Sequence, residues 1–192
     1  MSVKYYNENS ESFFYETLKA DMTYMYQKFL ENLTKKSGKI LDLGCGSGRD
    51  SKYFKSLGFQ VISIDASEEL AKKASKYIEQ NVIIGDMRDI EYEDEFIGVW
   101  ACASILHLEI KDIEIVFRKI FKSLKKGGIF YASFKYGDEN YIKNGRKFIN
   151  FTEEKFFNLF PQYRENCIEI FKTSDVREGR ESESWFNIIL KK

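Results

Sequence analysis

The chain has 192 residues, 43% of them hydrophobic and 31% charged, a mixture typical of a folded globular protein rather than a disordered one. Its 30 basic and 30 acidic residues cancel, which argues against a broad basic surface for nucleic acid but leaves a local basic patch open. No apolar run could span a bilayer, and the polar start MSVKYYNENSES is unlike a secretory signal. We therefore expect one cytoplasmic domain, residues 1–192, with no membrane partner.

The predicted elements begin with an amphipathic helix over residues 22–33, which we group with the preceding aromatic segment as an N-terminal helical arm, residues 1–35. Strands and helices then alternate. The predicted strands are 39–43, 59–65, 81–86, 95–103 and 127–134, and the predicted helices are 49–57, 67–78 and 112–124. Because the strands are continuously apolar, the alternation predicts an α/β fold with a doubly wound, mostly parallel sheet.

The tail follows a different pattern. After a predicted helix over 152–160, two strands, 165–175 and 183–192, are separated only by the loop VREGRES. That loop is too short for a crossover helix, so the two strands should be antiparallel. The predicted sheet therefore has seven strands and ends in an antiparallel C-terminal hairpin.

A glycine-rich loop follows the first predicted strand. Residues 40–50 read ILDLGCGSGRD, with glycines at 44, 46 and 48. Glycines let the backbone turn sharply and approach a ligand, and ligands of open α/β sheets bind beyond the carboxyl ends of the strands. The spacing G-x-G-x-G differs from the G-x-G-x-x-G of dinucleotide loops. Together with the expectation of a single domain, this argues against an NAD-dependent dehydrogenase.

Three acidic residues stand at or near the ends of successive predicted strands. Asp65 is placed to accept hydrogen bonds from ribose hydroxyls, and Asp86 from an adenine amino group. Asp42 would repel a phosphate but suits a cationic group such as an ammonium or a sulfonium. Together they suit an adenosine-containing cofactor. Each also has a purely structural alternative, in which Asp42 satisfies loop amides, Asp65 caps the next helix and Asp86 stabilises a turn.

The motifs LDLGCGSGRD, ISIDAS, IIGDMRDI, VWACASILHL and KKGGIFYASFK resemble, in order and spacing, those of class I S-adenosylmethionine-dependent methyltransferases. The resemblance covers roughly residues 5–190 and is greatest for small stand-alone bacterial members, some of them tellurite-resistance-like. It implies an enzyme with a Rossmann-like sheet and S-adenosyl-L-methionine as its cofactor. The tail hairpin matches the antiparallel sheet edge of that family.

The resemblance also implies which residues surround the cofactor. It assigns the ribose to Asp65, the adenine to Asp86 and the Met87 backbone, and the cofactor carboxylate to Arg49. Tyr6 in the N-terminal arm would close over the cofactor. The remaining residues assigned to the cofactor site are Asp42, Gly44, Cys45, Gly46, Gly48, Ala66, Ala101 and Cys102.

His107, the only histidine, follows the fourth strand near the expected place of the methyl group. It is the candidate general base, with a hydrogen bond to substrate or a structural place beside the next helix as alternatives. The candidate acceptor wall consists of Lys135, Tyr136, Arg177, Arg180 and Trp185. Guanidinium groups there would suit a carboxylate or phosphate, whereas a solvated charged loop is the alternative.

We therefore predict a methyltransferase that acts on a small molecule, with anionic molecules as the first class to test. One alternative is an RNA or protein acceptor, for which the stretch 135–147 (KYGDENYIKNGRK) would provide a basic patch. Another is a non-catalytic module that binds the cofactor. Three separated cysteines and one histidine predict no metal site. We expect a monomer or a homodimer.

Overall fold

A computed structural model describes residues 2–177 and 179–192. The helices are α1 (Ser2–Glu8), α2 (Ser10–Leu18), α3 (Thr23–Asn32), α4 (Arg49–Ser56), α5 (Glu68–Ile78), α6 (Ile110–Ser123) and α7 (Glu153–Leu159). The strands are β1 (Lys39–Leu43), β2 (Gln60–Asp65), β3 (Ile83–Ile84), β4 (Phe96–Ala101), β5 (Leu124–Tyr136), β6 (Tyr141–Lys143), β7 (Arg146–Phe148), β8 (Asn150–Phe151), β9 (Cys167–Ser174) and β10 (Ser184–Lys191). Single 3₁₀ turns cover Met87–Asp89, Ile105–His107 and Pro161–Tyr163.

The central sheet has the strand order β3-β2-β1-β4-β5-β10-β9, with β8 paired beside the end of β5. Strands β1 to β5 pair in parallel, whereas β10 is antiparallel to both β5 and β9. The predicted mostly parallel sheet with an antiparallel C-terminal pair is therefore confirmed. The chain order reverses between β1 and β4, and ligands of open α/β sheets bind at such a reversal.

Helices cover both faces of the sheet with aromatic side chains. On one face, α6 and α7 bury Phe117 and Phe156 completely. On the other face, α3 and α4 pack Phe29 and Phe54 against Trp100 of β4. Burying such large side chains is the main favourable term in folding, about 1.5–3 kcal/mol for each one. The core thus holds β1 and β4 rigidly below the loops that follow them.

Three details of the fold differ from the predicted elements, one of which is β8, an eighth strand in a sheet predicted to have seven. Strand β3 has only two residues, both exposed at the sheet edge, where residues 81–86 were predicted. Strands β6 and β7 form an antiparallel hairpin that was not predicted. Its turn contains Asn144 and Gly145, with φ of 52° and 71°. This pair is the typical sequence of a two-residue hairpin turn, because both positions require a positive φ.

Gly98 allows α3 to pack directly on β4. A methyl group at this position would lie 2.6 Å from Cζ of Phe29 and 3.1 Å from Cδ2 of Leu33. We expect Gly98→Ala to lower the free energy of unfolding by about 1–3 kcal/mol, because a well-packed core resists added volume. Gly85→Ala is the matched control, since its added methyl group would lie 3.9 Å from the nearest atom. Equal urea midpoints for the two variants would contradict this packing.

Candidate active site

A cavity of about 660 Å³ lies at the carboxyl ends of β1, β2 and β4. The glycine loop after β1 borders it on one side, and side chains of α1 and α2 border it from the N-terminal arm. The hairpin β6–β7 and the start of β10 form its far wall. A volume of about 300–1,000 Å³ is typical of sites for small organic ligands.

The glycine loop has a backbone conformation that only glycine adopts easily. Gly44, Gly46 and Gly48 have φ of 80°, 55° and 78°. A methyl group on Gly44 would lie 2.4 Å from Cβ of Ser104, whose hydroxyl donates to the Leu43 carbonyl at 2.6 Å. Gly44 and Gly46 border the cavity, as predicted for a ligand loop.

Asp65 presents a carboxylate to the cavity from the end of β2. Its two oxygens accept hydrogen bonds from the backbone N–H groups of Gly46 and Ser67, each at 2.8 Å. Burial raises the pKa of Asp65, while these two donors lower it. No lysine or arginine in the described ranges forms an ion pair with Asp65. Ser67 itself caps α5 through Leu70, so Asp65 is not needed as the cap.

The structure corrects the predicted role of Asp42. Its side chain is buried behind the loop and does not border the cavity. It accepts a hydrogen bond of 2.6 Å from Ser51, whose hydroxyl pairs with that of Ser63 at 2.7 Å. Burial and the nearby charge of Asp50 raise the pKa of Asp42. Asp42 therefore ties β1 to the start of α4, which Ser51 links on to β2, instead of facing a cofactor ammonium.

Three other predicted residues also lie outside the cavity. Gly48 caps α4 from behind the loop, where an added methyl group would lie 2.8 Å from Cγ2 of Ile78. Ala101 is completely buried within β4. Tyr136 is 42% exposed and stacks against Lys172, because successive side chains of a strand point to opposite faces. The remaining predicted residues, Tyr6, Cys45, Arg49, Ala66, Asp86, Met87, Cys102, His107, Lys135, Arg177, Arg180 and Trp185, border the cavity with Gly44, Gly46 and Asp65.

Arg49 borders the cavity but is already paired. Its Nε and Nη2 donate to the two oxygens of Asp50 at 2.6 and 2.9 Å, and its Nη1 donates to the Thr17 carbonyl at 3.1 Å. Asp50 also accepts from the Tyr26 hydroxyl at 2.5 Å and from Nε1 of Trp100 at 2.8 Å. Burial alone would raise the pKa of Asp50, but the Arg49 cation and these donors hold it below its usual value. The predicted Arg49 contact with a cofactor carboxylate would have to compete with this network.

Asp86 is likewise engaged within the chain. Nε and Nη2 of Arg88 donate to its two oxygens at 2.9 and 2.6 Å, and the Arg88 backbone N–H donates at 2.9 Å. The Arg88 donors lower the pKa of Asp86. Arg88 also reaches Asp112 at 3.3 Å. A ligand amino group would therefore share the Asp86 carboxylate with Arg88, whereas Met87 borders the cavity beside it.

His107 is held by two hydrogen bonds that define its tautomer. Nδ1 lies 2.6 Å from the Lys147 carbonyl, which can only accept, so Nδ1 carries the proton. Nε2 then accepts from the Tyr6 hydroxyl at 2.7 Å. Burial lowers the pKa of His107 to about 4, and the Arg146 cation acts in the same direction. In this conformation the Nε2 lone pair is occupied, and a base at this position requires Tyr6 to move away.

The depressed pKa of His107 predicts a pH-dependent stability. An unfolded histidine titrates near pH 6.5, whereas the pKa of folded His107 is about 4. Between these pH values the unfolded chain binds more protons, so stability falls as the pH drops from about 6.5 to about 4. Between pH 6.5 and pH 4, we expect the free energy of unfolding of His107→Gln to fall by up to about 3 kcal/mol less than that of the unmodified protein. Urea unfolding across this range measures the difference. Parallel curves for the variant and the unmodified protein would contradict a buried neutral His107.

The predicted anion-binding wall carries its own carboxylates. Nζ of Lys135 lies 3.1 Å from Asp175 and also pairs with Glu183. Asp175 accepts from Nη2 of Arg177 at 2.6 Å and from Nε1 of Trp185 at 3.1 Å. Burial would raise the pKa of Asp175, but Arg177 and Lys135 hold it well below its usual value. These cations are neutralised within the protein, so the expected attraction for an anionic substrate is weak at this wall.

The basic stretch 135–147 does not form a continuous basic surface. Lys135 is buried, and Lys147 pairs with Glu109. Arg146 stacks on the Tyr5 ring of α1. Of the cations in this stretch, Lys143 at the tip of the hairpin is the one that is exposed and has no ion pair with residues 2–177 or 179–192. The cations of this stretch are therefore dispersed and do not form the basic patch that was expected for an RNA acceptor.

Two negative findings apply to the part of the chain that the structure describes. No group of three histidine, cysteine, aspartate or glutamate side chains there could hold a metal ion. No helix among those residues is long and apolar enough to cross a bilayer.

Comparisons with known proteins show which proteins this chain resembles. Residues 41–132 match the family model described as a methyltransferase domain. This segment runs from β1 into β5 and resembles a methyltransferase domain, in agreement with the resemblance that the motifs indicated.

Individual relatives agree with this assignment. YqeM of Bacillus subtilis, a protein named as a methyltransferase, is 33% identical over 133 residues, or 63% of this chain and 54% of that protein. Carboxy-S-adenosyl-L-methionine synthase of Vibrio vulnificus is 27% identical over 125 residues, or 59% of this chain and 51% of that one. The chain thus spans about half the length of these curated relatives.

A solved structure matches almost the whole chain. The 1,6-didemethyltoxoflavin-N1-methyltransferase of Burkholderia thailandensis, with bound 1,6-didemethyltoxoflavin and S-adenosylhomocysteine, aligns with a TM-score of 0.78. The alignment covers 99% of this chain and 84% of that one at 19% sequence identity. This likeness concerns the fold, including the Rossmann-like sheet.

Proposed function

We propose that the protein is an S-adenosylmethionine-dependent methyltransferase that acts on a small molecule. The observation that carries this proposal is the cavity-facing carboxylate of Asp65 beside the glycine loop. Asp65 has no cationic partner in the described ranges, and its remaining lone pairs are suited to ligand hydroxyl groups. The cavity and the donor set therefore fit a nucleoside better than a phosphate, which Asp65 would repel.

The residues of the chain would hold the cofactor and align the reactants. Asp65 would bind the ribose, and Met87 and Ala66 would border the nucleoside. When bound, S-adenosylmethionine supplies an electrophilic methyl group on a sulfonium. Displacement at such a methyl group has a good leaving group, so alignment and exclusion of water are the main tasks of the protein. Tyr6 and Phe13 of the N-terminal arm border the cavity and would exclude water.

Helices α1 and α2 of the arm are proposed to act as a lid. The ring of Phe13 lies so near Gly46 that a methyl group on this glycine would be 3.3 Å from it. Asn7 accepts a hydrogen bond of 2.7 Å from Ser67 at the cofactor end. Tyr6 donates to His107 at the other end. The arm therefore contacts both parts of the cavity, and as a lid it would have to open for a ligand to fill them.

A small acceptor agrees better with this arrangement than a polymer does. The cavity is bordered by α1 on one side and by the hairpin β6–β7 on the other, and Arg146 of the hairpin stacks on Tyr5 of α1 at 3.8 Å. The dispersed cations of the stretch 135–147 provide little electrostatic attraction for RNA. Among the similar proteins, the Burkholderia enzyme holds the small molecule 1,6-didemethyltoxoflavin. The alternative function is a non-catalytic module that binds the cofactor in the same cavity.

Calorimetric titration with S-adenosylhomocysteine, and with NAD in parallel, tests the proposal. We expect micromolar affinity for S-adenosylhomocysteine and no binding of NAD. Binding of NAD alone, or of neither ligand by a folded protein, would contradict it. Transfer of a labelled methyl group from S-adenosylmethionine to a panel of small molecules and to total RNA then separates an enzyme from a binding module.

A further inference from the structure

Most cations that border the cavity face a carboxylate of the same chain. Within the described ranges, these cation–carboxylate pairs are Arg49–Asp50, Arg88–Asp86, Lys135–Asp175, Lys147–Glu109, Arg177–Asp175 and Arg180–Glu16. The two remaining cations are both on the hairpin β6–β7. Lys143 is exposed at its tip, whereas Arg146 is half-buried. Arg146 is therefore the one enclosed cation of the described cavity wall whose charge is not balanced by a carboxylate.

Arg146 is fixed in place by aromatic rings. The carbon of its guanidinium lies 3.8 Å from the centre of the Tyr5 ring and 5.2 Å from that of Phe148. Stacking of this kind orients a guanidinium without using its N–H groups. Its Nε is buried and has no hydrogen-bond partner among residues 2–177 and 179–192. A buried donor without a partner costs about 1–3 kcal/mol, so a stable protein that retains one is suited to an incoming acceptor atom.

Arg146 lies on the acceptor side of the cavity, the side of His107. Its guanidinium carbon is 5.6 Å from the ring centre of Tyr6, the residue bonded to His107. The unpaired carboxylate, Asp65, belongs to the glycine-loop side. The cavity thus has an unbalanced negative group where the cofactor would bind and an unbalanced positive group where the acceptor would bind.

We propose that Arg146 binds an anionic group, a carboxylate or a phosphate, of the methyl acceptor and so determines substrate specificity. This inference rests on the proposed function and names the class of its substrate. The fork of N–H groups on a guanidinium matches two oxygens of either anion, and enclosure strengthens the pairing. The anion site is thereby assigned to Arg146, which the sequence interpretation did not single out, instead of to Arg177, whose charge is neutralised.

The test measures anion binding to the complex with saturating S-adenosylhomocysteine. Benzoate and inorganic phosphate serve as probes in calorimetric titrations of the unmodified protein, Arg146→Gln, Arg146→Lys and the matched control Lys143→Gln. We expect one probe to bind with millimolar affinity, which distinguishes a carboxylate from a phosphate. Arg146→Gln should weaken that binding at least tenfold, about 1.4 kcal/mol, while Lys143→Gln leaves it unchanged. Arg146→Lys should restore part of it.

The affinity for S-adenosylhomocysteine separates the two proposals. We expect Arg146→Gln to change it less than about threefold, well under 1 kcal/mol, which also shows that the variant is folded. If the unmodified protein binds S-adenosylhomocysteine but neither anion, or if both arginine variants bind the anion as well as the unmodified protein does, the inference is wrong. Failure of the unmodified protein to bind S-adenosylhomocysteine would instead overturn the proposed function.

Discussion

Asp65→Ala should weaken the binding of S-adenosylhomocysteine by about 100-fold or more while the protein stays folded. A hydrogen bond to a charged group contributes about 1.5–3 kcal/mol, and two ribose hydroxyls would lose theirs together. The loop would also lose the acceptor that holds the backbone N–H of Gly46 at 2.8 Å. Calorimetric titration gives the affinity, and far-UV circular dichroism with urea unfolding reports on the fold.

Two control variants separate ligand contact from loop order. Asp65→Asn keeps the shape and one acceptor oxygen but loses the charge, so we expect an affinity between those of the unmodified protein and Asp65→Ala. Asp86→Ala removes a carboxylate that Arg88 already occupies, and should reduce the affinity less than tenfold. Unchanged affinity in Asp65→Ala would eliminate the ribose assignment. An equal loss in Asp86→Ala would mean that Arg88 yields this carboxylate to the ligand.

Asp50→Ala should lower the free energy of unfolding by about 3–5 kcal/mol, the largest stability effect that we expect from a single side chain. Asp50 is buried and accepts hydrogen bonds from Arg49, Tyr26 and Trp100. Its removal leaves a partly buried cation and two buried donors without their acceptor. Since Tyr26 belongs to α3 and Trp100 to β4, the loss would also loosen the packing between them.

Urea unfolding at neutral pH measures the effect, and a surface carboxylate provides the control. Glu91 is exposed, and its one ion pair with the residues that the structure describes is to Lys119, so Glu91→Ala should cost less than about 1 kcal/mol. Asp50→Asn keeps the shape of the side chain but loses the charge that balances Arg49. Its loss of unfolding free energy should lie between those of Asp50→Ala and Glu91→Ala. A loss below about 1 kcal/mol for Asp50→Ala would show that water or rearranged partners replace the carboxylate.

The parts of the fold that were predictable are those encoded by local patterns. The apolar runs and helical stripes located the main strands and helices, and the short loop VREGRES identified the antiparallel pair β9 and β10. The place of Asp65 at the end of β2 was predictable for the same reason, because the carboxyl ends of parallel strands lie along one edge. The hairpin β6–β7 could also have been predicted from the sequence, because Asn144 and Gly145 are a strong signal for a two-residue hairpin turn.

The charge pairing inside the cavity could not be read from the sequence. Lys135 and Asp175 are 40 residues apart, and only the antiparallel pairing of β5 with β10 and of β10 with β9 brings their strands together. For that reason a neutralised lysine was interpreted as an anion-binding group. Arg146 was counted only as part of a basic stretch, because its enclosure depends on contact with α1. Local sequence gives the type of each charge, whereas distant partners decide whether that charge is available.

Helix α1 has seven residues and forms hydrogen bonds at both ends of the cavity: Asn7 accepts one from the Ser67 hydroxyl, and Tyr6 donates one to His107. As part of the proposed lid, this one short helix would cover both the cofactor end and the acceptor end of the cavity. Binding and release of both ligands should then depend on the same opening of α1, so that their exchange rates are linked. The opening rate of α1 would then be an upper limit of kcat, and a faster methyl-transfer step would not increase turnover beyond it.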